Sequence, residues 1–286
     1  MRINNFFSAL KKDKLALLAL FYLLFAVFIS IVVQWIPIDP DQLDVIHALA
    51  SPSPAHFFGT DEVGRDYFIR VLYGGRVSLL VGFLSMLMSM SIGVVLGLVS
   101  GYFGGFVDAI LMRIVDVISS IPWIIMVMVI GMIFGRGFLS LIFVIGLLSW
   151  MEIARLIRSE VLSLKEREYV QYARFLGIPS GKILFSHIFP SILPTTITAS
   201  TAAIASSIMV ESALSFLGRG ISAPMSSWGS LLQSSQKFLQ KAPYISWEGV
   251  YGNLWIPLCY RGLSRICNRG DSVHQESRYQ DESGKE

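Results

Sequence analysis

The residues that could carry chemistry are few and scattered. His47, His56, His187 and His274 form no ligand set, and Cys259 and Cys267 have a spacing that fits no zinc or redox motif. There is no His-Glu-x-x-His and no Gly-x-Ser-x-Gly. The nearest approach to a phosphate-binding loop runs from Gly177 to Ile183. It is one residue too short between its glycines, and it has Ile183 where a hydroxyl is needed on magnesium. The chain therefore offers no catalytic residues, no metal site and no cofactor site, and that loop is not expected to bind a nucleotide. What remains is a set of ionisable groups in unusual places. Arg113, Asp116 and Glu211 lie within or at the margins of long apolar runs, where a charge is costly and marks a functional candidate. Arg113 and Asp116 are three apart, on one helical face, and are expected to neutralise each other. Glu211 falls near the outer end of its run, where water is expected to reach it. Asp61, Arg65 and Asp66 stand close together among glycines. They read as a salt-bridged turn, or alternatively as a partner contact or a gate.

The elements that must position these groups are membrane helices. The chain has 286 residues, is 53% hydrophobic and 15% charged, and has a mean hydropathy of +0.61. A soluble domain carries about 25% charged residues. The fold class is an all-α, polytopic transmembrane helical bundle. The net charge of +3 comes with no basic stripe interleaved with aromatics, which excludes nucleic acid as a partner and leaves membrane lipid. Five apolar runs are long enough to span, at residues 15–33, 77–103, 113–134, 138–153 and 195–217. The first follows Arg2, Lys11, Lys12 and Lys14 and lacks a small-residue cleavage site, so it reads as a retained signal anchor. Basic residues cluster in 1–14 and again at Arg155, Arg158, Lys165, Arg167, Arg174 and Lys182, which puts both regions on the cytoplasmic side and 34–76 outside. Gly93, Gly97 and Gly101 recur every four residues, as do Ala199, Ala203 and Ser207. Such faces let helix backbones approach closely. Pro122 should kink the third span.

Between the fourth and fifth runs lies a charged, amphipathic island. Leu162, Tyr169, Val170, Ala173 and Leu176 recur at helical spacing. Gly177 suits a left-handed helix stop, and Pro179 prevents continuation. Ser180 is placed to cap a second short helix that runs through Ile183 and ends at Pro190. The apolar face of this elbow needs a partner, either the membrane surface or another protein.

This loop resembles the cytoplasmic loop of ATP-binding-cassette importer permeases, which carries Glu-Ala-Ala, three residues, Gly, nine residues, then Ile-x-Leu-Pro. Gln171, Tyr172, Ala173, Gly177 and Pro190 stand at the matching positions. Gln171 and Tyr172 replace the Glu and the first Ala, and His187 and Phe189 replace the Ile and the Leu. Residues 58–79, with Gly59, Thr60, Asp61, Gly64, Arg65 and Asp66, are similar to the segment after the first span of dipeptide, oligopeptide and nickel importer permeases. Residues 211–229 are similar to the segment after the fifth span of the same group. The resemblance implies a non-enzymatic, multi-pass permease subunit of the bacterial cytoplasmic (inner) membrane. Its implied partners are a second permease subunit, two ATP-binding subunits, with the coupling loop 154–194 seated around Gly177 in a cleft of one of them, and an extracytoplasmic solute-binding protein. Its implied cargo is di- or oligopeptides, with nickel or a nickel chelate as the alternative. A stand-alone secondary transporter or channel, and a membrane scaffold with no transport, are the readings from other classes.

The chain departs from that family near its end. The group has six spans, whereas here five are present. Residues 244–260 are interrupted by Glu248, Asn253 and Pro257 and are too short to cross a bilayer, and 261–286 hold no apolar run. The expected organisation is thus a cytoplasmic N-terminus over 1–14, a permease domain over 15–243, and an atypical tail over 244–286. That tail reads as frameshifted or as a divergent, disordered segment.

Overall fold

A computed structural model describes residues 14–35, 37–221 and 225–238. The residue 244–286 tail, both cysteines and His274 lie outside the described residues. Among the described residues the chain is helical and forms no sheet. Helix α1 is Lys14–Val32, α2 is Tyr67–Phe103, α3 is Gly105–Ser119, α4 is Trp123–Phe134 and α5 is Phe138–Lys165. Two short helices follow, α6 over Glu168–Phe175 and α7 over Ser180–Ile183. Then come α8 over Phe189–Phe216 and α9 over Trp228–Gln236. Three helical stretches, Tyr67–Phe103, Phe138–Lys165 and Ser180–Phe216, are long and apolar enough to cross a membrane. A fourth is added if the bent α3–α4 pair counts as one span.

The helices outrun the apolar runs that mark them. Helix α2 has 37 residues and starts ten positions before the run at 77. At 1.5 Å per residue it is about 55 Å long, well beyond the roughly 30 Å of hydrocarbon. Its start is set by Asp66, whose side chain accepts from the Ile69 N–H, and its end by Gly104 at φ +63°. Helix α5 likewise runs twelve residues past 153, because nothing before Glu166 stops it.

Packing centres on α2. The Gly93, Gly97 and Gly101 face lies against α5. Added β-carbons there would sit 2.7 Å from Ile153 Cβ, 2.7 Å from the Ala154 carbonyl oxygen and 2.7 Å from Val161 Cβ. The Ala199, Ala203 and Ser207 face of α8 also turns inward. Ser207 is buried, and the two alanines pack on the core of Met90, Val94, Leu98 and Ile157. Small residues let backbones meet where lipid supplies no hydrophobic driving force.

Of two expectations about proline, one holds in place though not in size, and one needs correction. Where one kinked span is expected, α3 and α4 meet at 86° across Ser120–Pro122. Pro122 lacks an N–H and biases Ile121 away from helical geometry, so the chain turns a corner there. Conversely, the second loop helix does not end at Pro190. A π-helical turn over Leu184–Ile188 joins α7 to α8, and Pro190 falls in the first turn of α8. The wider turn makes room for a ring that would strike a carbonyl of an ordinary helix. Ser180 also does not cap α7; Pro179 occupies that position, and Ser180 is the first helical residue.

Candidate functional site

The elbow is built from α6, the turn at Gly177 and α7. Gly177 has φ +75°. Its N–H donates to the Arg174 carbonyl at 2.9 Å, and the Ile178 N–H donates to the Ala173 carbonyl at 3.2 Å. That pair of bonds is the Schellman arrangement, which satisfies the last carbonyls of α6 and needs a residue that adopts positive φ cheaply. Gln171 bonds back to the Glu166 carbonyl at 3.2 Å. The Tyr169 hydroxyl lies 3.3 Å from Ser191 Oγ, linking α6 to α8.

The elbow's apolar residues divide between two sides. Val170 and Ala173 are buried, together with Ile183, Ile188 and Ile192, against Leu98 and Tyr102 of α2 and Ile157 and Val161 of α5. The Arg174 guanidinium stacks on the Tyr102 ring, 5.0 Å from its centre. The expectation that this face awaits a partner is therefore corrected for Val170 and Ala173, because the chain's own helices cover them. The opposite side stays open: Tyr172 is 65% exposed, Phe175 89% and Phe185 74%, and Leu176 is exposed beside them. Large apolar side chains left open on α6 and on the π turn that follows α7 make a surface that asks for a partner.

At the base of this region ion pairs tie helices together. Arg158 holds Asp108 through two bonds, the second 2.6 Å long, and Ser100 Oγ donates to the same carboxylate. Asp116 pairs with Arg155 at 2.8 Å. The expected Arg113–Asp116 neutralisation does not occur: Asp116 reaches across to α5, and Arg113 is exposed. The Asp108–Arg158 bridge spans fifty residues, a distance at which sequence spacing carries no signal.

At the other end of α2, Asp61 is the centre of a compact turn. It accepts from the N–H groups of Val63 and Arg65, each at 3.0 Å, from Arg65 Nε at 2.7 Å and from Arg70 Nη1 at 2.6 Å. Asp66 stands apart from that pair, capping α2 and bonding His56 Nδ1 at 2.9 Å. Thr60 is buried, accepts from the Ala50 N–H at 2.8 Å and donates to the His47 carbonyl. Gly59 and Gly64 have φ +73° and +82°, and a β-carbon on Gly64 would lie 1.7 Å from the Asp44 carbonyl oxygen. The neighbouring Asp44 carboxyl is held below its usual range by its hydrogen bond to His47.

Glu211 also departs from expectation. None of its surface reaches solvent. Ser215 and Ser227 each donate to Oε1 at 2.7 Å, and Ser78 donates to Oε2 at 3.1 Å. Its hydroxyl partners come from α2, α8 and the residue before α9, so burial among serines replaces the expected access to water. Among the described residues, no group of three or more His, Cys, Asp or Glu side chains is placed to hold a metal ion.

Comparison with known proteins adds to this geometry. Residues 3–52 match the family described as the N-terminal transmembrane domain of oligopeptide transport permease C. The dipeptide transport system permease protein DppC of Alkalihalophilus pseudofirmus is 35% identical over 261 residues, covering 91% of this chain and 85% of that one. The oligopeptide transport system permease protein OppC of Escherichia coli K12 is 41% identical over 206 residues, covering 71% of this chain and 68% of that one. The fold is also shared with a chain of the MetNI methionine ABC transporter solved in inward-facing conformations. There the TM-score is 0.57 at 17% identity, covering 71% of this chain and 96% of that one. Residues 93–251, more than half of the chain, match a further family profile, and on that ground the chain belongs to the family of binding-protein-dependent transport system inner membrane components.

Proposed function

We propose that this chain is the permease subunit of an ATP-driven importer that carries di- or oligopeptides across the bacterial inner membrane. The family supports the transport role, and relatives named as dipeptide and oligopeptide permeases support the cargo. ATP hydrolysis is assigned to two separate ATP-binding subunits, substrate delivery to an extracytoplasmic solute-binding protein, and half of the pathway to a second permease subunit.

The observation that carries this reading is the two-sided elbow. Its inner side is fixed to α2 and α5 through Val170, Ala173 and Arg174. Its outer side presents Tyr172, Phe175, Leu176 and Phe185. Because α7 passes through the π turn directly into α8, a push on the elbow is delivered to a spanning helix without an intervening flexible loop. That is the connection a motor needs in order to switch a bundle between outward-open and inward-open states by rigid-body motion. On this reading Gln171, Tyr172, Ala173, Gly177 and Pro190 shape the docking element, and Gly59, Thr60, Asp61, Gly64, Arg65 and Asp66 brace the external end of α2. Co-purification tests it. The intact complex should retain ATP-binding subunits in detergent, and Phe175→Ser with Phe185→Ser should release them while leaving the chain in the membrane. Peptide uptake that persists in cells lacking every such ATPase would refute the reading.

A further inference from the structure

Glu211 is wholly buried, and among the described residues it enters no ion pair. Its surroundings are ordered in one direction. Ser78 Oγ accepts the Trp228 N–H at 3.2 Å and donates its own O–H to Glu211 Oε2. Ser227 Oγ accepts the Ser230 N–H at 3.1 Å and donates its own O–H to Oε1. Trp228 and Ser230 are in the first turn of α9, whose leading N–H groups have no partner within the helix and form its positive end. Two serine hydroxyls thus relay the carboxylate to the start of α9. A third, Ser215, donates to Glu211 Oε1 at 2.7 Å and lies 3.5 Å from Ser227 Oγ, but among the described residues it accepts no N–H of α9.

The seat around this relay is tight. A β-carbon on Gly75 would lie 2.7 Å from the Trp228 ring, and one on Gly229 would lie 2.6 Å from Ser212 Cα. Trp228 Nε1 donates to the Val71 carbonyl at 3.0 Å, so the ring has little freedom to retreat.

We infer that Glu211 is the positioning residue of segment 225–238, fixing the first turn of α9 between α2 and α8 through Ser78 and Ser227, so that this segment moves with those two helices as one body rather than opening as a lid. The alternative role, a carboxylate that only fills space in the bundle, predicts no difference among the serines around it. The positioning role does predict one. An amide in place of the carboxylate leaves at least one hydroxyl proton with no acceptor, and loss of either relay serine frees an α9 N–H. Loss of Ser215 does neither.

The test is labelling of the purified full chain in detergent, in a Cys259→Ser, Cys267→Ser background, and it does not depend on the cargo or on ATPase docking. A reporter Ser226→Cys occupies a buried site at the head of α9, and a control Thr60→Cys occupies a buried site in the Asp61 turn. Maleimide should react slowly with both. Glu211→Gln, Ser78→Ala and Ser227→Ala should each accelerate labelling of the reporter about tenfold or more, leaving the control unchanged, and Ser215→Ala should leave both near the starting rate. If Glu211→Gln yields no folded protein, the contrast of Ser78→Ala and Ser227→Ala against Ser215→Ala decides the matter. Equal rates for those three serine variants, a parallel rise at the control, or no acceleration with Glu211→Gln would each overturn the inference.

Discussion

Replacing Gly97 by alanine probes the joint between α2 and α5. The added β-carbon would sit 2.7 Å from the Ala154 carbonyl oxygen and 2.8 Å from Ile157 Cβ. Ordinary non-bonded carbon contacts lie at about 3.5–4.0 Å, so the helices must part by roughly 1 Å at that point. Neither neighbour has freedom to move, since one is backbone and the other is the root of a β-branched side chain. Overpacking of this kind costs about 1–3 kcal/mol. Alanine also gains about 1 kcal/mol over glycine in helix propensity, which masks part of the loss. Gly131 of α4 supplies the correction, because a β-carbon there meets nothing within 4 Å. Gly131→Ala takes the propensity gain without the clash, so the two variants should differ by about 1–3 kcal/mol, with Gly97→Ala the weaker. Unfolding of the purified chain in mixed micelles with rising dodecyl sulfate, followed by tryptophan fluorescence, measures that difference. Equal midpoints for the two variants would show that the small-residue face does not carry the α2–α5 contact.

Three further outcomes follow from the same geometry. Gly177→Val should weaken the elbow by about 1–2 kcal/mol through backbone strain alone, and Gly177→Asn by less, because φ is +75° with open space around it; hydrogen exchange of the α6 amides reads the change. Gly64→Ala should loosen the turn around Asp61, since its β-carbon meets the Asp44 backbone at 1.7 Å with φ +82°; limited proteolysis between residues 39 and 66 should speed up while the cutting of α5 stays unchanged. Arg158→Ala should destabilise the chain more than Arg155→Ala. The first breaks a two-bond, partly buried pair and the second an exposed one contributing about 1 kcal/mol or less, and thermal unfolding in detergent ranks them.

Much of the bundle was legible from pattern alone. Apolar runs locate helices because hydrocarbon requires them, and the glycine and alanine stripes locate close packing because only small residues permit it. Gly177 followed by Pro179 read correctly as a helix stop, since both act through local backbone geometry. Proline at longer range did not. Pro122 breaks the helix into a corner where a kink was expected, and Pro190 is carried inside a continuous helix by a π turn, so a neighbouring adjustment decides each outcome. A helical wheel also finds an apolar face without saying what covers it. Ala173 and Val170 therefore read as a docking face and proved to be core, while Phe175 and Phe185 carry the exposure. Glu211 was picked out as a candidate, but its burial escaped because its partners Ser78 and Ser227 stand 133 and 16 residues away, and nothing in their spacing announces that they converge.

The buried position of Ala173, 4% exposed, makes it a poor place for a probe, whereas Phe175 points away from the bundle. A photo-crosslinking phenylalanine analogue in place of Phe175, irradiated in intact cells, tests the coupling role most directly. Capture of an ATP-hydrolysing subunit from position 175, and none from position 173, is the expected result. Capture of lipid alone from position 175, with uptake intact, would contradict it.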